Sequence, residues 1–172
     1  MKNTLIFLVI LFVCTGCTDS ILDLTNKNQL SEDNFWKTEN DAMLGLMGTY
    51  NVLQSTWLFD SYPWQAGAMR FDYISDNGYM NWQWTPWSDL ARGEFTSTSS
   101  GNSQFFSTAY DAINRSNLVI ANVPGIGGMD SGVVDRMIAE ARVIRSTVYL
   151  QLAMTYGDVP LITEPKTIEE AS

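Results

Sequence analysis

The stretch Ala139-Glu140-Ala141-Arg142-Val143-Ile144-Arg145-Ser146-Thr147-Val148-Tyr149-Leu150-Gln151-Leu152-Ala153-Met154-Thr155-Tyr156-Gly157-Asp158-Val159-Pro160 decides the fold class. With the residues just before it, it carries Val134, Met137, Ile138, Ala141, Ile144, Arg145, Val148, Leu152 and Tyr156, each three or four residues from another of the set. That spacing is the stripe of an amphipathic helix, whereas a strand would alternate every second residue. The helix is expected to start after Asp130-Ser131 and to stop at Gly157, which tolerates the left-handed backbone of a helix end. Val159-Pro160-Leu161-Ile162 should then be extended, because the residue before proline is pushed out of the helical region. Arg145 falls within the inward stripe, so its guanidinium needs a partner there, and Glu140 or Asp158 is the expected counter-ion.

Working towards the N-terminus, Phe106, Ala109, Tyr110, Ile113, Asn117 and Ile120 define a second helix. It begins near Asn102-Ser103 and ends before Pro124 and the turn Gly125-Ile126-Gly127-Gly128. A third helix is expected over residues 39–54. Thr38-Glu39-Asn40-Asp41 has the form of a capping box, and Met43, Leu46, Met47, Tyr50 and Leu53 follow at helical spacing. In the other direction, Thr167-Ile168-Glu169-Glu170 repeats the capping-box pattern, which predicts a further helix from about Ile168.

Between the helix over residues 39–54 and the one that begins near Asn102, residues 55–101 lose helical periodicity and hold five of the six tryptophans. Connections longer than about 15 residues without regular structure are often functional. Trp82, Trp84 and Trp87, with Asn81 and Gln83 beside them, have the makeup of a glycan platform: ring faces stack on sugar C–H faces while amides bond the hydroxyls. The competing reading is that the rings pack beneath a long loop, each indole N–H finding a partner. Asp72 with Asp76, and Asp89 with Glu94, are the carboxylate pairs open to glycosidase chemistry, but nothing in their spacing fixes the separation such chemistry requires. Asp72 to Gly78 is not a calcium loop, since Ile74 stands where an oxygen ligand is needed. Asn114-Arg115-Ser116 matches a glycosylation sequon but falls within a helix.

At the start of the chain, Lys2 precedes an apolar run from Leu5 to Val13 that is too short to span a bilayer and reads as a signal peptide. Thr15-Gly16-Cys17 then has the small-small-Cys order of a bacterial lipobox, so residues 1–16 are expected to be removed, Cys17 lipidated, and residues 17–30 to serve as a tether. An ordinary signal peptide with a nearby cysteine is the alternative. Residues 31–172 form the expected domain. With Cys14 removed and Cys17 acylated, neither disulfides nor thiolate catalysis would be available.

Composition excludes further classes. The chain has no histidine, which rules out Ser-His-Asp and Cys-His units and His-bearing zinc sites. Ten Lys and Arg against nineteen Asp and Glu give a net charge of -9, and the pI near 4.3 argues against nucleic acid as a partner. No catalytic residue, metal or cofactor is expected.

Several segments together resemble one family. Phe35-Trp36-Lys37-Thr38, Asp41-Ala42 and Gly48-Thr49-Tyr50-Asn51 resemble the first helix of SusD/RagB lipoproteins. Tyr110-Asp111-Ala112-Ile113-Asn114-Arg115-Ser116-Asn117 is similar to their next helix. Ala139 to Arg145, with Tyr149, Leu152 and Tyr156-Gly157-Asp158-Val159-Pro160-Leu161, is the most specific match. The resemblance implies a mainly α fold, the N-terminal part of a SusD-like helical body with tetratricopeptide-like helix pairs and a long aromatic-rich loop region. It also implies an outer-membrane lipoprotein facing the cell surface that binds oligosaccharide, or peptide, and passes it to a SusC-like TonB-dependent transporter without catalysis. A helical scaffold packing on the transporter, with its ligand site in later sequence, is the alternative. Family members are longer, so the domain is expected to be incomplete at its C-terminus. An uncapped helical array would then tend to aggregate.

Overall fold

The computed structural model of the chain describes residues 35–59, 69–79, 81 and 85–166. The signal peptide, Cys17, the tether, Trp82, Gln83, Trp84 and the helix expected from Ile168 lie outside the described residues. The chain divides into two units, Met1–Phe35 and Trp36–Ser172, and the architecture below is that of the second.

Its described residues are helical and contain no strand. The order is α1 (Glu39–Tyr50), a 3-10 turn (Asn51–Gln54), the one-turn helices α2 (Arg70–Tyr73) and α3 (Ser88–Ala91), α4 (Ser100–Asn122), a 3-10 turn (Val123–Gly125) and α5 (Ser131–Tyr156). No helix among the described residues is long and apolar enough to cross a membrane.

The caps behave as the sequence predicts. Thr38 Oγ1 accepts from Asp41 N at 3.3 Å while Asp41 Oδ2 accepts from Thr38 N at 2.8 Å, closing the capping box of α1. Hydrogen bonding from the Thr38 hydroxyl holds the Asp41 carboxyl below its usual range. Asp130 caps α5 through Val133 N, and Gly157 ends it with a φ of 74°. Gly128, with a φ of 82°, turns the chain between α4 and α5. That short connection makes the two long helices antiparallel neighbours: Tyr156 reaches Asn102 at one end, and Arg145 meets Asn117 near the middle.

The core has two parts. Ala42 and Leu46 of α1 pack with Val119, Val123, Ile126, Met137 and Ala141. Val52, Leu58, Trp87, Phe105, Ala109, Ala112, Ile113, Val148 and Leu152 form the other cluster. On α5 the predicted stripe is the observed one, with Met137, Ala141, Ile144, Val148 and Leu152 buried.

Two faces differ from expectation. On α1 only Leu46 of the predicted stripe is buried, and its companions are Ala42 and Thr49, while Met43, Met47, Tyr50 and, in the following turn, Leu53 are exposed. Small side chains let α1 approach α4 closely enough for Arg115 Nη1 to reach the Gly48 carbonyl at 3.5 Å, so the bulky residues turn outward. On α4 the buried ring is Phe105, and Phe106 lies at the margin against Tyr110 and Tyr156. The outer face of α5 also carries Val143, Leu150 and Met154 in the open.

After Gly157 the segment 159–166 runs back along α4 and α5 as an irregular strap held by side chains. Tyr110 donates to Pro160 O at 2.7 Å. Tyr149 donates to Ile162 O at 3.0 Å and accepts from Ile162 N at 2.7 Å. Asn117 Nδ2 donates to Ile162 O and Glu164 O at 3.2 and 3.0 Å, and Lys166 N donates to Asn114 Oδ1 at 3.1 Å. Arg145 Nη1 donates to Asn117 Oδ1 at 2.6 Å and to Thr163 O at 3.2 Å. The expected counter-ion is therefore corrected. Arg145 is held by an amide and a carbonyl, while Glu140 accepts from Tyr50 at 3.0 Å and pairs with Arg136 at 3.6 Å.

Candidate ligand-binding site

The described part of the aromatic-rich segment is anchored by a residue that sequence reasoning passed over. Arg70, on α2, is wholly buried. Its guanidinium lies 4.1 Å from the Phe105 ring centroid and 4.3 Å from that of Phe71, sandwiched by cation-π contact. Nη1 donates to Leu58 O at 3.3 Å and Nη2 to Gln151 Oε1 at 2.6 Å, so one side chain ties the loop to α5. Burial pushes its pKa down to about 10. The available signal was an arginine set directly before Phe71 and among Trp, Phe and Tyr, a composition that suits a stacked cation.

Trp87 sits in the same core. It is 0 % exposed and meets Phe105 edge-on at 6.1 Å, while Phe105 in turn contacts Tyr156 at 5.9 Å. A ring with no exposed face has nothing to stack against a sugar, so its place among the expected platform residues is corrected to packing. Gly101 is part of the same fit, because a Cβ there would fall 2.4 Å from Pro86 O. Trp57, Phe59 and Tyr73 also lean on the core while partly exposed.

Tyr79 is the most exposed of the described aromatics of this segment, ahead of Phe95. It is 79 % exposed and borders a crevice of about 190 Å³ with Tyr73, Ser75, Ser88 and Arg92. Asn81, from the expected set, is exposed two residues further on. The loop before Tyr79 is a tight turn in which Ser75 Oγ donates to Asp72 O at 3.1 Å, and a Cβ on Gly78 would lie 2.9 Å from that same carbonyl. Gly78 thus lets the chain double back and lift Tyr79 outward.

Arg92, at the crevice edge, bonds Asp89 at 2.9 Å and Glu94 at 2.8 Å, and the Glu94 hydrogen bond raises its pKa. The Asp89–Glu94 pair considered for acid-base work therefore shares a cation. Chemically the crevice offers an aromatic face, hydroxyls and a neutralised arginine, a set suited to stacking and hydrogen bonding. Among the described residues no group of three His, Cys, Asp or Glu is placed to hold a metal.

Comparison with known proteins agrees with this architecture. Residues 21–171 match a SusD-like family described as starch-binding and associating with the outer membrane. The chain is 31 % identical over 163 residues to SusD-like protein P38 of Formosa agariphila, covering 94 % of this chain and 30 % of that one. It is 22 % identical over 181 residues to SusD-like protein P25 of the same organism, covering 99 % of this chain and 33 % of that protein. The chain thus spans about a third of the length of the curated relatives it matches. No solved structure matches it significantly. A family match over most of the chain and a relative of 31 % identity, on a helical architecture, lead to one assignment: this chain belongs to the SusD-like family.

Proposed function

We propose that the chain is the front part of a lipoprotein anchored through Cys17 in the outer membrane, facing the cell surface. There it binds oligosaccharide and delivers it to a SusC-like TonB-dependent transporter without catalysing a reaction. The observation that carries the binding role is Tyr79, an open ring beside a polar crevice, with Asn81 exposed two residues further on. Trp82, Gln83 and Trp84 follow Asn81 directly in sequence and are the further ligand-binding residues assigned in this reading. A few stacked rings and hydrogen bonds suffice for a dissociation constant of ~1 mM to 1 μM, about 4–8 kcal/mol.

A glycan array on the purified chain, repeated with Tyr79→Ala and with Trp82→Ala/Trp84→Ala, tests the platform. Loss of the bound glycans in folded variants supports it, and unchanged binding excludes it. Including peptides separates the two ligand classes, and release of reducing ends would overturn the non-catalytic reading. Incorporation of labelled palmitate, lost in Cys17→Ala, tests the anchor.

The inward lean of Trp57, Phe59 and Trp87 favours a second reading, in which the aromatic segment serves chiefly to brace a scaffold that packs on the transporter. In that case the Tyr79 and Trp82/Trp84 variants bind glycan normally but no longer co-purify with the transporter.

A further inference from the structure

A second cleft lies between the C-terminal end of α1 and the middle of α4, and it shares no lining residue with the crevice at Tyr79. It encloses about 360 Å³ and is lined by Asn51, Gln54, Thr56, Thr108, Asp111 and Arg115 among others. That volume is at the lower end of the roughly 300–1,000 Å³ typical of small-molecule sites.

Its polar groups are largely unspent. The side chains of Asn51, Gln54, Thr56 and Thr108 make no hydrogen bond to other described residues. Asp111 uses a single oxygen, Oδ2, on Arg115, at 3.0 Å from Nε and 2.8 Å from Nη2, leaving Oδ1 as an acceptor. Arg115 is fixed from the other side through Gly48 O. The two charges cancel, and every other polar group named is an amide or a hydroxyl. An anion would meet the Asp111 carboxylate and a cation the Arg115 guanidinium, each without a free counter-charge. A neutral ligand rich in hydroxyls meets neither obstacle, and each amide can bond to it as donor and acceptor together.

We propose that this cleft is a binding site for one or two rings of a neutral saccharide, separate from the aromatic crevice and independent of it. In this reading Asn51 and Gln54 bridge neighbouring hydroxyls, Thr56 and Thr108 bond single ones, and Asp111 Oδ1 accepts from another, oriented by Arg115.

The test follows the side-chain amide resonances of Asn51 and Gln54 by nuclear magnetic resonance in the full chain. The probes are glucose, galactose, mannose and xylose at millimolar concentration, with sodium sulfate as an anionic control. At least one sugar should shift both resonances and sulfate neither. Thr108→Trp, which fills the cleft, should abolish the effect on both. Asn51→Ala, which removes one amide without filling the space, should weaken binding read at Gln54 roughly tenfold, the loss of one to two hydrogen bonds. Tyr79→Ala should leave the shifts unchanged, and circular dichroism verifies that each variant is folded. No shift with any of the sugars, an equal shift with sulfate, or loss of the sugar shifts in Tyr79→Ala would overturn the proposal. The first two outcomes leave the reading of the Tyr79 crevice intact, and the third would reduce both sites to one.

Discussion

Arg145 Nη1 and Asn117 Oδ1, 2.6 Å apart, join the two long helices at the point where the returning strap crosses them. The amide takes the guanidinium on its oxygen and gives its two N–H groups to Ile162 O and Glu164 O. Asn117 is buried and its whole amide is satisfied within this junction, whereas Arg145 also reaches Thr163 O and Ile162 O also accepts from Tyr149.

Asn117→Leu removes three hydrogen bonds at once, leaving Arg145 with Thr163 O and Ile162 O with Tyr149, and about 2–4 kcal/mol of stability should be lost, at about 0.5–1.5 kcal/mol for each bond. Urea unfolding of Asn117→Leu, Arg145→Leu and the double variant measures it. The double variant should be less destabilised than the sum of the singles, with a coupling of about 1–3 kcal/mol. Strict additivity would show that the two side chains act separately.

Trp87 and Tyr79 should separate stability from recognition. Trp87→Ala leaves a cavity against Phe105 and should cost about 3–5 kcal/mol. Gly101→Ala, which drives a methyl into Pro86 O, should cost about 1–3 kcal/mol. Tyr79→Ala, at an open site, should stay within about 0.5 kcal/mol of the parent. Thermal melts of the three give the order, and a Tyr79→Ala melt as low as that of Trp87→Ala would place Tyr79 in the core.

At the start of α1, Thr38→Ala removes the cap and should cost about 1 kcal/mol. The Asp41 carboxyl, with its pKa lowered in the fold, adds stability that is present above its unfolded value near 3.8 and disappears as pH falls through the lower folded value. Unfolding curves between pH 6 and 2 should show this acid loss reduced in Thr38→Ala, because the hydroxyl that causes the shift is gone. Equal acid slopes would refute that linkage.

The alkaline side is governed by tyrosines. Burial pushes Tyr156 up to about 12 while its hydroxyl donates to Asn102 O at 2.7 Å, and the unfolded phenol ionises near 10. The folded chain then holds a proton that the unfolded chain has released, so stability falls as pH rises from about 10 to 12. Arg70, lowered to about 10, works in the opposite sense. Comparing the parent with Tyr156→Phe isolates the tyrosine: the variant should be less stable at pH 7 yet lose stability less steeply above pH 10, by up to about one proton per molecule. Parallel slopes would count against a buried, protonated Tyr156.

What the sequence disclosed followed how local each cause was. Thr38, Asp130 and Gly157 act on their own helix ends, and each boundary lies where those residues put it. The stripe of α5 was legible because this helix is long and its buried positions repeat without ambiguity. Phe105 and Phe106 are neighbours only about 100° apart on a helix, and which one turns inward depends on Trp87 and Arg70, residues from a distant stretch. On α1 the large apolar residues suggested the wrong face because close helix approach selects the small ones. Among the expected ligand residues Trp87 was misplaced for a related reason: composition reports that rings are gathered, while exposure depends on the backbone that carries them.

The strap of residues 159–166 also carries a lesson for natural variation. Four of its residues, Pro160, Ile162, Thr163 and Glu164, are gripped through main-chain carbonyls, which every amino acid possesses. The specific chemistry resides in Tyr110, Asn117, Arg145 and Tyr149 on the helices. A substitution at Thr163 or Glu164 that keeps the backbone path therefore leaves these bonds in place, whereas one at the helix side chains that hold the strap removes them.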